Sequence, residues 1–105
     1  MKFNYKCKDG ALWVYLAGEM DHHSAKSARE NTDRVIEKEH PQMLFIDTSG
    51  ITFCDSSGLG FVMGRYKRMK ELGGDTVLVS PSAAVSKMIL LSGMDKLVRV
   101  EVKDK

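Results

Sequence analysis

Cysteine, proline and net charge are all scarce in this sequence. Two cysteines, two prolines and one tryptophan occur in 105 residues, and 16 basic side chains nearly balance 14 acidic ones, for a formal charge of +2. Cys7 and Cys54 form no C-x-x-C pair. That leaves neither a zinc framework nor a disulfide scaffold and points to a reducing, cytoplasmic setting, with both thiols as small core fillers. The balanced charge gives no reason to expect direct nucleic-acid binding. The basic run Arg65, Lys67, Arg68 and Lys70 scatters around a helix axis that turns about 100° per residue, so it reads as a solvated helix surface rather than a stripe tracking phosphates. No stretch approaches the ~20 apolar residues of a membrane span. Lys2, Asn4 and Lys6, with no apolar run behind them, do not read as a secretory signal.

What is present is the patterning of a small α/β protein. A chain of this length reads as one domain over 1–105, with one modest core and little room for a deep substrate cavity. Phe3, Tyr5 and Cys7 alternate with Asn4, Lys6 and Lys8, a strand signal, and Asp9-Gly10 is a favoured type I′ turn. Residues 11–17 are apolar on both faces and read as a second, more deeply buried strand ended by Gly18. Residues 22–38 read as a helix capped by Asp21, with Ala25, Ala28, Thr32, Val35 and Ile36 at helical spacing. Residues 43–47 fit a strand covered on both faces. Residues 58–72 give the clearest helix, stopped by Gly73-Gly74. A buried strand at 76–79, a third helix after Ser80-Pro81-Ser82 ending at Gly93, and a last strand at 97–102 complete the order β-β-α-β-α-β-α-β: a mixed sheet with helices packed on it. The crossover from 43–47 to 76–79 should be right-handed.

The most informative stretch is Phe53-Cys54-Asp55-Ser56-Ser57-Gly58-Leu59-Gly60, between a buried strand and a strong helix. Two hydroxyls and a carboxylate stand where free backbone N–H groups and roughly half a positive charge emerge. Such a helix start accepts a phosphate on Ser56 or Ser57 without disrupting the fold, and the added charge of about −1.5 to −2 would disturb a partner's face instead. Capping alone would also account for Ser and Asp here, with Gly58 permitting a tight turn. With Leu59 and Tyr66 at the centre of the core-facing stripe, Ser57, Gly60, Phe61, Gly64 and Arg68 fall on the far side. Phe61 is then an aromatic aimed away from the core, beside a bare groove left by Gly60 and Gly64, and the face reads as a docking surface.

Other chemistry finds less support. His22 and His23 are adjacent, so on a helix they point about 100° apart and do not share a metal in the usual i, i+4 manner. Ser56 as a hydrolase nucleophile lacks G-x-S-x-G, and only chance folding would bring a histidine to it. Cys54 lacks the arginine of a phosphatase loop six residues on, where Gly60 stands, and no P-loop is present. No metal or cofactor is expected.

Asp55-Ser56-Ser57-Gly58-Leu59-Gly60, followed by Gly64-Arg65-Tyr66-Lys67, together with Gly18-Glu19-Met20-Asp21-His22-His23, resembles the STAS-domain family of anti-sigma factor antagonists, and within it the branch serving the sigma-F pathway of sporulation. The resemblance spans 3–100. It implies a protein whose unphosphorylated form binds an anti-sigma factor that is also a serine kinase, holding ATP or ADP, and so releases a sigma factor. The kinase would phosphorylate the first serine of the pair, Ser56, and a protein phosphatase would reverse this. The chain would then be a substrate with no catalytic residues of its own, acting as a monomer when free. By the same resemblance Asp21, His22, Asp55, Ser57, Gly58, Leu59, Gly60, Phe61 and Gly64 would lie at the partner interface. Family members often continue into a further C-terminal helix, whereas this sequence ends at Lys105. A scaffold or sensor module binding a small ligand or nucleotide, with Ser56 only a cap, is the alternative of a different class.

Overall fold

A computed structural model describes residues 1–103. The elements follow the order β1 (Lys2–Lys8), β2 (Ala11–Met20), α1 (His22–Glu39), β3 (Met43–Cys54), α2 (Ser56–Glu71), β4 (Asp75–Val79), α3 (Ala83–Ser92), a 3-10 turn (Met94–Lys96) and β5 (Arg99–Glu101). Asp9 and Gly10 both adopt positive φ, 53° and 81°, as a type I′ hairpin requires. The hairpin makes β1 antiparallel to β2, and every later pairing is parallel, in the sheet order β1-β2-β3-β4-β5. Each crossover advances one strand in the same direction. Right-handed connections of that kind stack all three helices on one face of the sheet. One core joins Leu12, Val14, Leu44, Ile46 and Leu78 of the sheet to Ala28 and Ile36 of α1, Val62 and Met69 of α2, and Val85 and Ile89 of α3. The strand residues of opposite parity include Trp13 and Phe45, whose rings stack at 4.4 Å. No helix among the described residues is long and apolar enough to cross a membrane.

α1 buries Ala25, Ala28, Thr32, Val35 and Ile36, the positions its spacing marks, and Asp21 caps it. β3 runs well past Asp47. Its second half is hidden in sequence by Thr48-Ser49-Gly50, yet it stays paired because β2 bulges after Tyr15 and Gly50 lies hard against Ala17, where a Cβ would come within 2.8 Å of the alanine methyl. β5 is shorter than 97–102. The N–H groups of Leu97 and Val98 bond back to the Met94 carbonyl, which holds both residues to the 3-10 turn and leaves Leu97 exposed.

The orientation of α2 corrects two expectations. Its buried residues are Gly58, Phe61, Val62, Arg65 and Met69, while Leu59 and Tyr66 are half-buried. Phe61 is 4% exposed, so it is a core residue and not an outward aromatic. The cause is α1, which covers the flank of α2 that the sequence leaves open. Arg65, read as part of a solvated run, is buried with it. Its Nε lies 3.0 Å from Asp33 of α1, an ion pair without hydrogen-bond alignment, and its guanidinium sits 5.6 Å from the centre of the Phe61 ring. Burial lowers the Arg65 pKa and nearby Arg29 lowers it further, against the opposing pull of Asp33.

Truncating Phe61 therefore tests the helix orientation. Phe61→Ala should cost about 3–5 kcal/mol in urea denaturation, as core aromatics do. Phe53→Ala, at a site 49% exposed, should stay within about 1 kcal/mol. Equal small losses would return Phe61 to the surface.

Candidate functional site

β2 and β3 run parallel and end together. Met20 pairs with Cys54, and the Asp55 N–H donates to the Met20 carbonyl at 3.2 Å. The two segments singled out in sequence, around Asp21 and around Ser56, therefore emerge side by side. Each strand passes directly into a helix through an aspartate cap. The Asp21 carboxylate accepts from the Ser24 N–H at 2.9 Å, and the Ser24 hydroxyl lies 3.0 Å from the Asp21 N–H, a reciprocal capping box. The Asp55 carboxylate accepts from the Ser57 N–H at 2.8 Å. Hydrogen bonds from the Ser24 N–H first, and from its hydroxyl second, hold Asp21 below its ordinary pKa.

Ser56 opens α2 itself, two residues before the expected start, and its side chain is exposed, whereas Ser57 is half-buried. The two hydroxyls also belong to different grooves. Ser57 lines one of about 300 Å³ between α1 and α2, with His22, Ala25, Lys26, Arg29, Gly60 and an edge of Phe61. Ser56 lines one of about 390 Å³ between α2 and α3, with Cys54, Asp55, Leu59, Lys87, Met88 and Leu91 among its walls. The serines, equivalent at the level of sequence, thus face different chemistry: basic on the α1 side, largely apolar with one lysine on the α3 side. His22 sits with Ser57, and the lining of the Ser56 groove contains no histidine to serve as a base.

Asp21 and Asp55 are the caps, His22 and Gly60 are exposed on the α1 side, and Leu59 flanks Ser56. An added Cβ on Gly60 or Gly64 meets nothing within 4 Å, so both are bare as expected. Gly58 faces inward instead, and a Cβ there would collide with Cys54 Sγ. Phe61 contributes only as groove floor. Burial, and then the Asp55 charge, raise the Cys54 thiol pKa, which keeps it a protonated thiol 3.4 Å from Met88 Sδ rather than a nucleophile. Lys26 and Arg29 of α1 and Lys87 and Leu91 of α3 went unmarked in sequence. Leu91 carries a signal, being apolar and outside the face set by Val85 and Ile89, but its neighbour Ser56 is distant in the chain. Phe53, 49% exposed just before the caps, also went unmarked.

Comparison with known proteins gives a consistent result. Residues 2–104 match the STAS domain family. The anti-sigma F factor antagonist of Paenibacillus polymyxa is 32% identical over 91 residues, covering 87% of this chain and 78% of that protein. The structure of the anti-sigma factor antagonist SpoIIAA in its unphosphorylated form superposes with a TM-score of 0.84 at 26% identity, over 99% of this chain and 90% of that one. That of the Bacillus cell fate determinant SpoIIAA in the phosphorylated form gives 0.78 at 25% identity, over 99% and 93%.

Two predictions follow from the geometry of the helix starts. Gly60→Ala and Gly64→Ala should each raise stability by up to about 1 kcal/mol, the helix-propensity difference. Gly58→Ala should lower it by about 1–3 kcal/mol through overpacking against Cys54. Urea midpoints of the three variants decide this, and a stabilising Gly58→Ala would contradict the packing. The Asp21 cap should show in acid. A carboxylate with a depressed folded pKa contributes stability that is fully present above its ordinary value of 3.8 and is lost as pH falls through the lower folded value. The difference in urea midpoint between wild type and Asp21→Asn should hold constant above about pH 5 and shrink below 3.8. A difference unchanged down to about pH 2 would exclude the charged cap as its source.

Proposed function

The chain belongs to the STAS-domain family, and on that premise we propose that it is an anti-sigma factor antagonist switched by phosphorylation of Ser56. The observation that carries this reading is the placement of Ser56: an exposed hydroxyl in the first turn of α2, beside the Asp21 loop, at the rim of an apolar groove. The relatives named as anti-sigma factor antagonists, and SpoIIAA known in both phosphorylation states, support it.

The partner is an anti-sigma factor that is also a serine kinase with bound ATP or ADP. In the unphosphorylated state the paired helix starts, with Gly60 and Gly64 offering bare backbone, form the docking face, and binding there displaces the sigma factor. Asp21, His22, Asp55, Ser57, Gly58 and Leu59 frame it, and Phe61 supports it from below. Phosphorylation needs the hydroxyl in line with the γ-phosphorus, and a rigid helix start provides that positioning. The Ser56 oxygen bonds to the γ-phosphorus, the bond to the β-phosphate oxygen breaks, ADP leaves, and the hydroxyl proton passes to a base of the kinase. The product carries about −1.5 to −2 added charge next to the Asp55 carboxylate. A partner shaped to a neutral hydroxyl meets both bulk and repulsion there, while the fold keeps its cap and its core. A protein phosphatase returns the active form. On this reading the protein is a regulator and a substrate, with no reaction of its own.

The basic side of the α1–α2 groove, with His22, Lys26 and Arg29, favours a second reading, a module that binds a nucleotide there. ATP alone would then raise the melting temperature in the absence of any kinase.

The test is intact mass and site mapping after incubation with the cognate anti-sigma kinase and ATP. One phosphate on Ser56 is expected. Ser56→Ala should bind the kinase and resist modification, and Ser56→Asp should bind at least tenfold more weakly, about 1.4 kcal/mol. No modification by a kinase active on another substrate, together with a thermal shift by ATP alone, would favour the nucleotide module.

A further inference from the structure

We propose that Lys87 of α3 is the counter-ion that receives the phosphate on Ser56 and holds it over the α2–α3 groove. This rests on the reading of Ser56 as the phosphorylated residue and adds the means by which the chain itself stabilises the modified state. Lys87 and Ser56 line the same groove, and Lys87 is the one cationic side chain among its lining residues. Lys87 is exposed and takes part in none of the ion pairs formed among the described residues. Its ammonium, on a flexible four-carbon stem, is therefore free to move to a new anion.

Beyond the helix start itself, the side chains around Ser56 leave Lys87 as the cationic partner on this groove. From the β3 side the groove presents Asp55, whose carboxylate already occupies the Ser57 N–H, and Cys54, whose thiol burial keeps neutral. From α2 it presents Leu59, and from α3 Ala84, Met88, Leu91 and Ser92 beside Lys87. The other nearby cations, Lys26 and Arg29, line the opposite groove with His22 and Ser57. A phosphate on Ser56 thus meets a carboxylate on one side, an apolar floor below and a single ammonium. Leu59 and Met88 are half-buried and offer the phosphate no competing polar partner, while the exposure of Ser56 and Lys87 keeps the pair sensitive to salt. Drawn toward Lys87, the phosphate also covers the apolar floor, which removes it as a surface for a partner.

The phosphate's own titration reads the contact. Wild type, Lys87→Gln, Lys87→Arg and Lys26→Gln are phosphorylated by the kinase and followed by phosphorus NMR across pH 4–8. A phosphoserine has a second pKa of about 6, and a neighbouring ammonium lowers it. Loss of Lys87 should raise the midpoint by about half a pH unit at low salt, and less at high salt. Lys87→Arg should keep the wild-type value, and Lys26→Gln, on the other groove, should not move it. Equal midpoints in all four proteins, or a rise with Lys26→Gln alone, would overturn the assignment to Lys87 while leaving Ser56 as the switch. Absence of phosphate on Ser56 in wild type would overturn the underlying reading and this one with it.

Discussion

The site depends on the parallel pairing of β2 with β3. Antiparallel neighbours would send their C-terminal ends to opposite ends of the sheet. Here the ladder runs to Met20 and Cys54 together, and the Asp55 N–H closes it on the Met20 carbonyl. Two loops far apart in the chain are thereby fixed within one hydrogen bond of each other. Both are reduced to a single capping aspartate, so no slack remains between strand and helix. A serine placed directly after such a cap is held by the sheet, as the proposed transfer to its hydroxyl would require.

The same arrangement explains how a surface can change charge while the fold does not. The first turn of α2 is pinned from beneath by Gly58 against Cys54, and the helix is anchored along its length by Phe61, Val62 and Met69. Ser56 takes no part in that packing. On the proposed reading, its phosphorylation would act on the electrostatics at a positive helix end, where added negative charge is tolerated. The burden falls on whatever docks, which suits a switch that must be reversible.

How much of this was legible in sequence differs by element. α1 reads cleanly because small residues at helical spacing, between polar neighbours, allow one buried face. The Asp21 cap reads cleanly because its chemistry is local, whereas α2 starts two residues before the expected 58, with Asp55 rather than a serine as its cap. The buried face of α2 does not read cleanly either, because apolar residues from Leu59 through Met69 cover more than half of its circumference. Which arc turns inward is decided by α1 and by the pairing of Arg65 with Asp33, both tertiary. The far half of β3 was hidden for a related reason: Gly50 looks like a break until Ala17 is seen to need the space. The grooves escaped entirely, since each joins side chains from two helices that local periodicity treats separately.

Arg65 shows why the correction of the α2 face changes the functional picture. With Phe61 outward, the docking surface would be hydrophobic and centred on the far side of the helix. With Phe61 inward and Arg65 buried beside it, the proposed docking face moves to the helix start, between two grooves of different character. A partner that reads the α1 side meets His22, Lys26 and Arg29, and one that reads the α3 side meets leucine and methionine. On the proposed reading, placing the two hydroxyls on opposite sides of that divide would let one face be modified while the other remains available. A single serine on a flat apolar patch would not separate those tasks.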